Sequence, residues 1–133
     1  MNAALEIVVP ANERWFNTKV TLERDAKYRI EVPPHQEWTD WWIPSGPEGG
    51  ANWLQRPFRP WLRFPHRRGD DPCADFFTLI GTIGESMDHA FVIGAGRRFQ
   101  APVSGQLFCF ANDLWLAYGN NKGVMRFLLT RTD

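Results

Sequence analysis

The alternation of apolar and polar positions predicts β-strands along much of the chain. Between positions 26 and 32, every second residue is apolar and those between are charged, and positions 19–23 alternate in the same way. A period of two is typical of a strand with one buried face and one face in water. The short Arg24-Asp25 link between these segments predicts an antiparallel hairpin.

Further strands are expected in apolar stretches that Gly, Pro or Asn residues bound, at 5–9, 75–83, 90–93, 107–111 and 124–129. We expect turns between them, including one over Gly94–Arg98. Turn signals recur about every 8–12 residues, and no helical period is evident. The pattern predicts an all-β fold, a β-sandwich or jelly roll, in a single domain spanning 1–133.

The composition changes in the stretch from Pro33 to Pro72. This stretch holds eight of the ten prolines and five of the seven tryptophans. Regular structure is not expected there. Loops of this length inside a domain are uncommon and usually functional or disordered, and the aromatic content argues against disorder. We therefore predict a long, ordered Pro/Trp-rich loop over about 33–72.

Charge and composition exclude several function classes. Fifteen basic residues balance fifteen acidic ones, so no global positive field is present to attract nucleic acid. No apolar run approaches the roughly 20 residues of a membrane span, and the first residues lack the layout of a secretory signal. We expect a soluble protein, cytoplasmic or exported by another route. Cys73 and Cys109 lack the spacing of a zinc site, no nucleophile elbow or nucleotide-binding motif is present, and an enzyme is disfavoured.

The segment from Asn112 to Gly123 is rich in oxygen donors. It contains the Asp113 carboxylate, the side-chain amides of Asn120 and Asn121, and the main-chain carbonyls of a loop. Calcium takes six to eight such oxygens and tolerates mixed donors. Asn and Asp beside Gly are equally common in ordinary hairpin loops, so composition alone leaves both interpretations open.

This segment, read as Asn-Asp, four residues, then Tyr-Gly-Asn-Asn-x-Gly, resembles the calcium and sugar loop of bacterial galactose-binding lectins of the PA-IL type. The similarity continues upstream through 79–84, 91–94 and 102–105 and covers about the last 50 residues. The N-terminal part matches more loosely.

The resemblance implies a Ca²⁺ site with side-chain ligands from Asp113, Asn120 and Asn121, together with the carbonyl of Ala117. For the carbonyl that the family takes from a distant loop, it points to Trp41, because Trp-Thr-Asp-Trp at 38–41 stands where the family has Trp-x-x-Tyr. Two vicinal hydroxyls of the sugar would complete the ion's coordination.

The resemblance also implies sugar contacts from Asp113 and Asn120, and from His66, the one histidine near the family's corresponding position. An aromatic platform for the sugar would come from Trp41, Trp42 or Trp53, although these rings are also needed to pack the long loop. Five arginines against two aspartates between positions 56 and 71 favour an acidic glycan if they lie beside the ion. A solvated or internally paired loop explains the same charges.

The expected function is therefore binding of galactose or a related, including acidic, glycan through a loop-bound Ca²⁺. The alternative is a β-sandwich that has lost the ion or sugar site and serves as a structural or protein-interaction module. The family resemblance implies a homo-oligomer, a dimer or tetramer, in which several weak sites gain avidity.

Overall fold

The computed structural model describes residues 3–40, 43–47, 78–112, 118–119 and 121–133. The strands are β1 (Leu5–Pro10), β2 (Phe16–Leu22), β3 (Lys27–Glu31), β4 (Trp38–Asp40), β5 (Ile43–Ser45), β6 (Leu79–Ile83), β7 (Phe91–Val92), β8 (Gly96–Gln100), β9 (Gly105–Ala111), β10 (Asn121–Lys122) and β11 (Val124–Arg131). A 3₁₀ turn, Met87–His89, lies between β6 and β7. In the part of the chain described, no helix is long and apolar enough to cross a membrane.

Two four-stranded antiparallel sheets form the body of the fold. The first has the strand order β1-β11-β3-β8 and the second has the order β2-β9-β6-β7. A small third sheet has the order β10-β4-β5 and shares no strand with the two large sheets. The prediction of an all-β fold is confirmed.

Side chains from both large sheets pack into one apolar core, which makes the arrangement a sandwich. Along β11, Met125, Phe127 and Leu129 are buried, as the alternation predicted, and of the two residues between them Arg126 is exposed and Leu128 is half-buried. Leu107 and Cys109 of β9 belong to the same buried cluster. Burying one side chain such as Phe127 contributes about 1.5–3 kcal/mol, and the cluster is the main source of stability.

The predicted hairpin of positions 19–32 is wrong. Strand β2 pairs with β9 and strand β3 pairs with β11 and β8, so consecutive strands belong to opposite sheets. The link between them is held as a corner of the sandwich: the Asp25 N–H donates to the Ala101 carbonyl over 2.8 Å, and the Arg24 N–H donates to Ser104 Oγ over 2.8 Å. Local alternation is the same in a hairpin and in a corner, because each buries one face of both strands.

Two short elements depart from the sequence expectations. Strand β8 occupies most of the segment predicted as a turn over Gly94–Arg98, and it is an edge strand whose charged Arg97 and Arg98 disguise the usual alternation. Within the Pro/Trp-rich stretch, β4 and β5 pair as a hairpin, with Trp38 opposite Ser45. Positions 41–42 and 48–72 of that stretch lie outside the described residues.

Of the two cysteines, Cys109 is buried in the core with a free thiol. Burial raises the pKa of this thiol well above its ordinary range, because the apolar surroundings disfavour the thiolate. Cys73 lies outside the described residues.

Candidate functional site

The segment that joins β9 to β11 is fixed at its start by the second sheet. Asn112 follows β9 directly, is fully buried, and donates its main-chain N–H to the Thr78 carbonyl over 2.9 Å. This bond extends the β6–β9 ladder by one step, where Leu79 pairs with Ala111. The donor-rich segment therefore begins at the end of the β6–β9 ladder.

Tyr118 anchors the middle of the segment. Its ring is fully buried and packs with Ile80 and Phe110, while its hydroxyl donates a hydrogen bond to the Ala111 carbonyl. The Arg14 guanidinium carbon lies 5.9 Å from the ring centroid, within the range of a cation–π contact. The buried ring therefore fixes position 118 against the sheet that contains β6 and β9.

Asn121 supplies a second anchor and a free acceptor. Its side chain is buried, with 4% of the residue exposed, and Nδ2 donates to the Ala11 carbonyl over 2.9 Å. The other end of the amide, Oδ1, is also buried and has no hydrogen-bond partner among the described residues. Leaving a buried acceptor unsatisfied costs about 1–3 kcal/mol, so this oxygen is placed for a donor or a cation.

The short strand β10 pairs with a part of the chain that is distant in sequence. Asn121 lies opposite Asp40, and Lys122 lies opposite Thr39, in an antiparallel pair. The end of β4 therefore lies next to Asn121. The sequence placed these segments about 80 positions apart and gave no pairing between them.

Gly123 allows β10 to join β11 beside the buried Trp38. Its φ is +87°, in the left-handed region that glycine adopts without strain. A Cβ at this position would lie 3.4 Å from the Trp38 Cα, so the two backbones are in contact. This close approach holds the paired strands β4 and β10 against the end of the sandwich.

Asn121 is the one predicted site residue that the structure describes with its side chain. The other predicted ion ligands and sugar contacts lie outside the described residues: Trp41, Trp42, Trp53, His66, Asp113, Ala117 and Asn120. Their roles stay predictions. Sequence reasoning assigned no role to Tyr118, although an aromatic residue in a polar loop signals an anchor, and none to Asp40, whose pairing with Asn121 carries no local signal.

The donor set is suited to a hard cation such as Ca²⁺. An amide oxygen that is buried, oriented by a hydrogen bond at its other end and left without a partner is the kind of ligand that Ca²⁺ uses. A carboxylate and a second amide follow from the sequence within eight residues of it. Asn121, the member of the predicted donor set that the structure describes, therefore fits the ion that the lectin resemblance implies.

One solved structure resembles this chain along almost its whole length. It is the N-terminal domain of EclA, described as a PllA-like lectin, and it superposes with a TM-score of 0.67 at 18% sequence identity, covering 97% of this chain and 98% of that one. No protein-family model and no curated protein matches the sequence. The protein thus has the β-sandwich fold of a lectin domain.

Proposed function

We propose that the protein is a lectin that binds galactose or a related glycan through a Ca²⁺ held by the 112–123 segment. The observation that carries the proposal is the buried Asn121 Oδ1, which has no partner among the described residues and lies where β10 meets the end of β4. The shared fold with a lectin domain supports the carbohydrate-binding class.

In this proposal the ion is held by the side chains of Asp113, Asn120 and Asn121 and by the carbonyls of Ala117 and Trp41. The bound ion would offer open coordination positions to two neighbouring sugar hydroxyls. Asn121 is held before any ligand arrives, since Nδ2 is already bonded to Ala11. Preorganisation of this kind lowers the entropy that binding must overcome.

The sugar itself would be read by groups around the ion. Asp113 and Asn120 would hydrogen-bond the same hydroxyls, so that the relative orientation of the diol decides which sugar fits. His66 would contact a further hydroxyl, and one of the three tryptophans 41, 42 and 53 would stack on the apolar face of the ring. In this proposal, the preference of the site for a neutral or an acidic sugar depends on the arginines between 56 and 68. If they are near the ion, an acidic sugar is favoured.

The test is retention on a galactose-bearing resin with Ca²⁺ and its loss with EDTA. We expect the wild type to be retained and to elute with chelator or free galactose, and Asp113→Ala to pass through while keeping the wild-type circular dichroism spectrum. Passage of the wild type through the resin with Ca²⁺ present would overturn galactose binding. A glycan array in Ca²⁺ then separates another sugar from a module that binds none.

Calcium binding is tested without any sugar by thermal melting. A ligand that binds only the folded state must raise the melting temperature, by an amount that grows with its concentration. We expect millimolar Ca²⁺ to raise the midpoint of the wild type and leave that of Asp113→Ala unchanged. An unchanged wild-type midpoint counts against the ion site.

A further inference from the structure

We propose that the outer face of the first sheet carries a second binding site, which takes a sugar bearing a sulfate or carboxylate group. The site is a cavity of about 260 Å³ on β3 and β8, lined by Lys27, Tyr28, Arg98, Phe99, Gln100 and Thr132. None of these residues belongs to the proposed calcium site. The inference therefore goes beyond the proposed function and does not depend on it.

The strand geometry determines which side chains form the walls of this cavity. Tyr28 and Phe99 direct their rings into the core, where the rings stack with centroids 5.5 Å apart. Neighbouring residues on a strand point to opposite faces, so the residues on either side of these two project outward. Lys27 lies directly opposite Gln100, and Thr132 continues this row by donating its N–H to the Lys27 carbonyl over 2.9 Å.

Arg98 is a cation without a counter-charge. Of the arginines that the structure describes, it is the one whose side chain makes no ion pair, hydrogen bond or ring contact with another described residue. It lies directly opposite Arg29 in the β3–β8 ladder. Like charges directly opposite each other destabilise a sheet, so an anion bound between the two guanidinium groups would stabilise this pair.

The other charges nearby leave an excess of positive charge. Lys27 makes no ion pair with a described residue. Glu31 lies 3.2 Å from Arg29 Nε, but this buried nitrogen has no hydrogen-bond partner among the described residues. Asp133 is bonded to Arg131 over 2.8 Å. Lys27, Arg29 and the arginine opposite it therefore face the single carboxylate of Glu31.

The remaining groups favour an acidic sugar over a bare anion. Guanidinium groups bind the oxygens of sulfate-like and carboxylate groups through charge-assisted, often bidentate, hydrogen bonds. The Gln100 Nε2 donates to the Asp25 carbonyl over 2.9 Å, which orients the amide and leaves Oε1 to accept from a sugar hydroxyl. Thr132 adds a hydroxyl group. The volume is just below the roughly 300–1,000 Å³ of small-molecule sites, which suits one sugar unit.

Arg126 provides a matched control on the same face of the same sheet. It is exposed, like Arg98, and pairs with Glu6 over 3.0 Å. It lies four residues along β11 from Thr130, the residue opposite Arg29, which is roughly 13 Å at about 3.3 Å per residue. Salt screens charges at such a distance, so comparing the two arginines separates a local contact from overall charge.

The experiment follows the main-chain amide signals of ¹⁵N-labelled protein by NMR in EDTA, at an ionic strength of about 0.15 M. The probes are galactose 6-sulfate, galacturonate, galactose and sodium sulfate. We expect the two acidic sugars to shift the signals of residues 27–29 and 98–100, and to bind about tenfold or more tightly than galactose and sodium sulfate. Arg98→Gln should weaken their binding roughly 10- to 100-fold, the effect of losing a hydrogen bond to a charged group. Arg126→Gln should stay within about twofold.

The melting temperature of Arg98→Gln in EDTA should equal or exceed that of the wild type, because repulsion from Arg29 is removed. A loss of binding in this variant then cannot come from unfolding.

Four results would overturn the site. These are no binding of the acidic sugars by the wild type, equal affinity for galactose, unchanged affinity in Arg98→Gln, and an equal loss in Arg126→Gln. Sodium sulfate binding as tightly as the acidic sugars would mean an adventitious ion only. Because EDTA keeps Ca²⁺ from the protein, none of these results bears on the calcium-dependent function, and failure on the galactose resin leaves this site standing.

Discussion

Asn121 and Ala11, 110 positions apart in sequence, are joined by a hydrogen bond of 2.9 Å from the amide Nδ2 to the main-chain carbonyl. Ala11 in turn donates its N–H to the Gly123 carbonyl over 3.0 Å. The two bonds attach the end of the donor-rich segment to the residue that follows β1. The Asn121 side-chain nitrogen thus stabilises the fold, and in our proposal the side-chain oxygen binds Ca²⁺.

Replacing Asn121 by Ala should separate these two contributions. Loss of the buried bond leaves the Ala11 carbonyl unsatisfied and should lower the free energy of unfolding by about 1–2 kcal/mol in EDTA, measured by urea denaturation. Addition of Ca²⁺ should then stabilise the variant less than the wild type.

Asn17→Ala is the control for this change. The Asn17 amide also donates over 2.9 Å, to Gln106, and accepts from the Lys19 N–H over 2.8 Å, but both bonds lie at the surface. Its removal should cost about 0.5 kcal/mol or less and leave the response to Ca²⁺ intact. Equal losses of stability at positions 17 and 121 would contradict the structural role given to Asn121.

Tyr118→Phe tests the anchor in the middle of the segment. The ring stays in its apolar surroundings, but the bond to the Ala111 carbonyl is lost, and we expect a destabilisation of about 1 kcal/mol in denaturant unfolding. Because the segment would be held less firmly, Ca²⁺ affinity should fall too.

Tyr28→Phe offers a matched comparison at the far corner of the sandwich. The Tyr28 hydroxyl accepts a hydrogen bond of 2.9 Å from the Glu23 N–H, and its removal should destabilise the protein by a similar amount. Ca²⁺ affinity should be unchanged in this variant. If both tyrosine variants lost affinity equally, general destabilisation and not the anchor would be responsible.

Gly123→Ala should destabilise the protein by about 1 kcal/mol or more, since an L side chain is strained at a φ of +87°. Gly123→Asn should lose less, because Asn tolerates the left-handed region. Gly119→Ala is the control: Gly119 is exposed, and a Cβ there would meet no atom within 4 Å. Melting temperatures in EDTA give the order, and a Gly123→Ala midpoint at or above that of Gly119→Ala would contradict the assigned turn.

The parts of the fold that the sequence predicted are those with a local signal. Met125, Phe127 and Leu129 are buried at alternate positions because a strand has a period of two wherever its sheet lies. The same alternation says nothing of which strand is the neighbour, and for this reason β2 and β3 were predicted to pair, although they lie in opposite sheets.

In the candidate site too, features with a local sequence signal were predicted, and features that depend on distant residues were not. Asn121 was identified from the Tyr-Gly-Asn-Asn-x-Gly pattern that resembles the lectin loop, and such a pattern is local in sequence. Its bond to Ala11 and its pairing with Asp40 depend on residues far away in the sequence, and only the register of β10 and β4 relates them. Proline, which disfavours regular structure locally, also concealed the β4–β5 hairpin that carries Asp40 to this position.

Because of Cys109, the free energy of unfolding should fall at alkaline pH. Burial raises the pKa of its thiol in the folded state, so unfolding releases a proton once the pH exceeds the unfolded value of about 8.5. The contribution is fully present below that pH and declines as pH rises toward the folded pKa. Urea unfolding between pH 8 and pH 10 should therefore show a decline of up to about 1.4 kcal/mol per pH unit in the wild type, relative to Cys109→Ala. Comparing slopes removes the constant cost of the cavity and the titration of every other group. Parallel pH profiles for the two proteins would mean that the thiol ionises as readily in the folded chain as in the unfolded one, contrary to its place in the core.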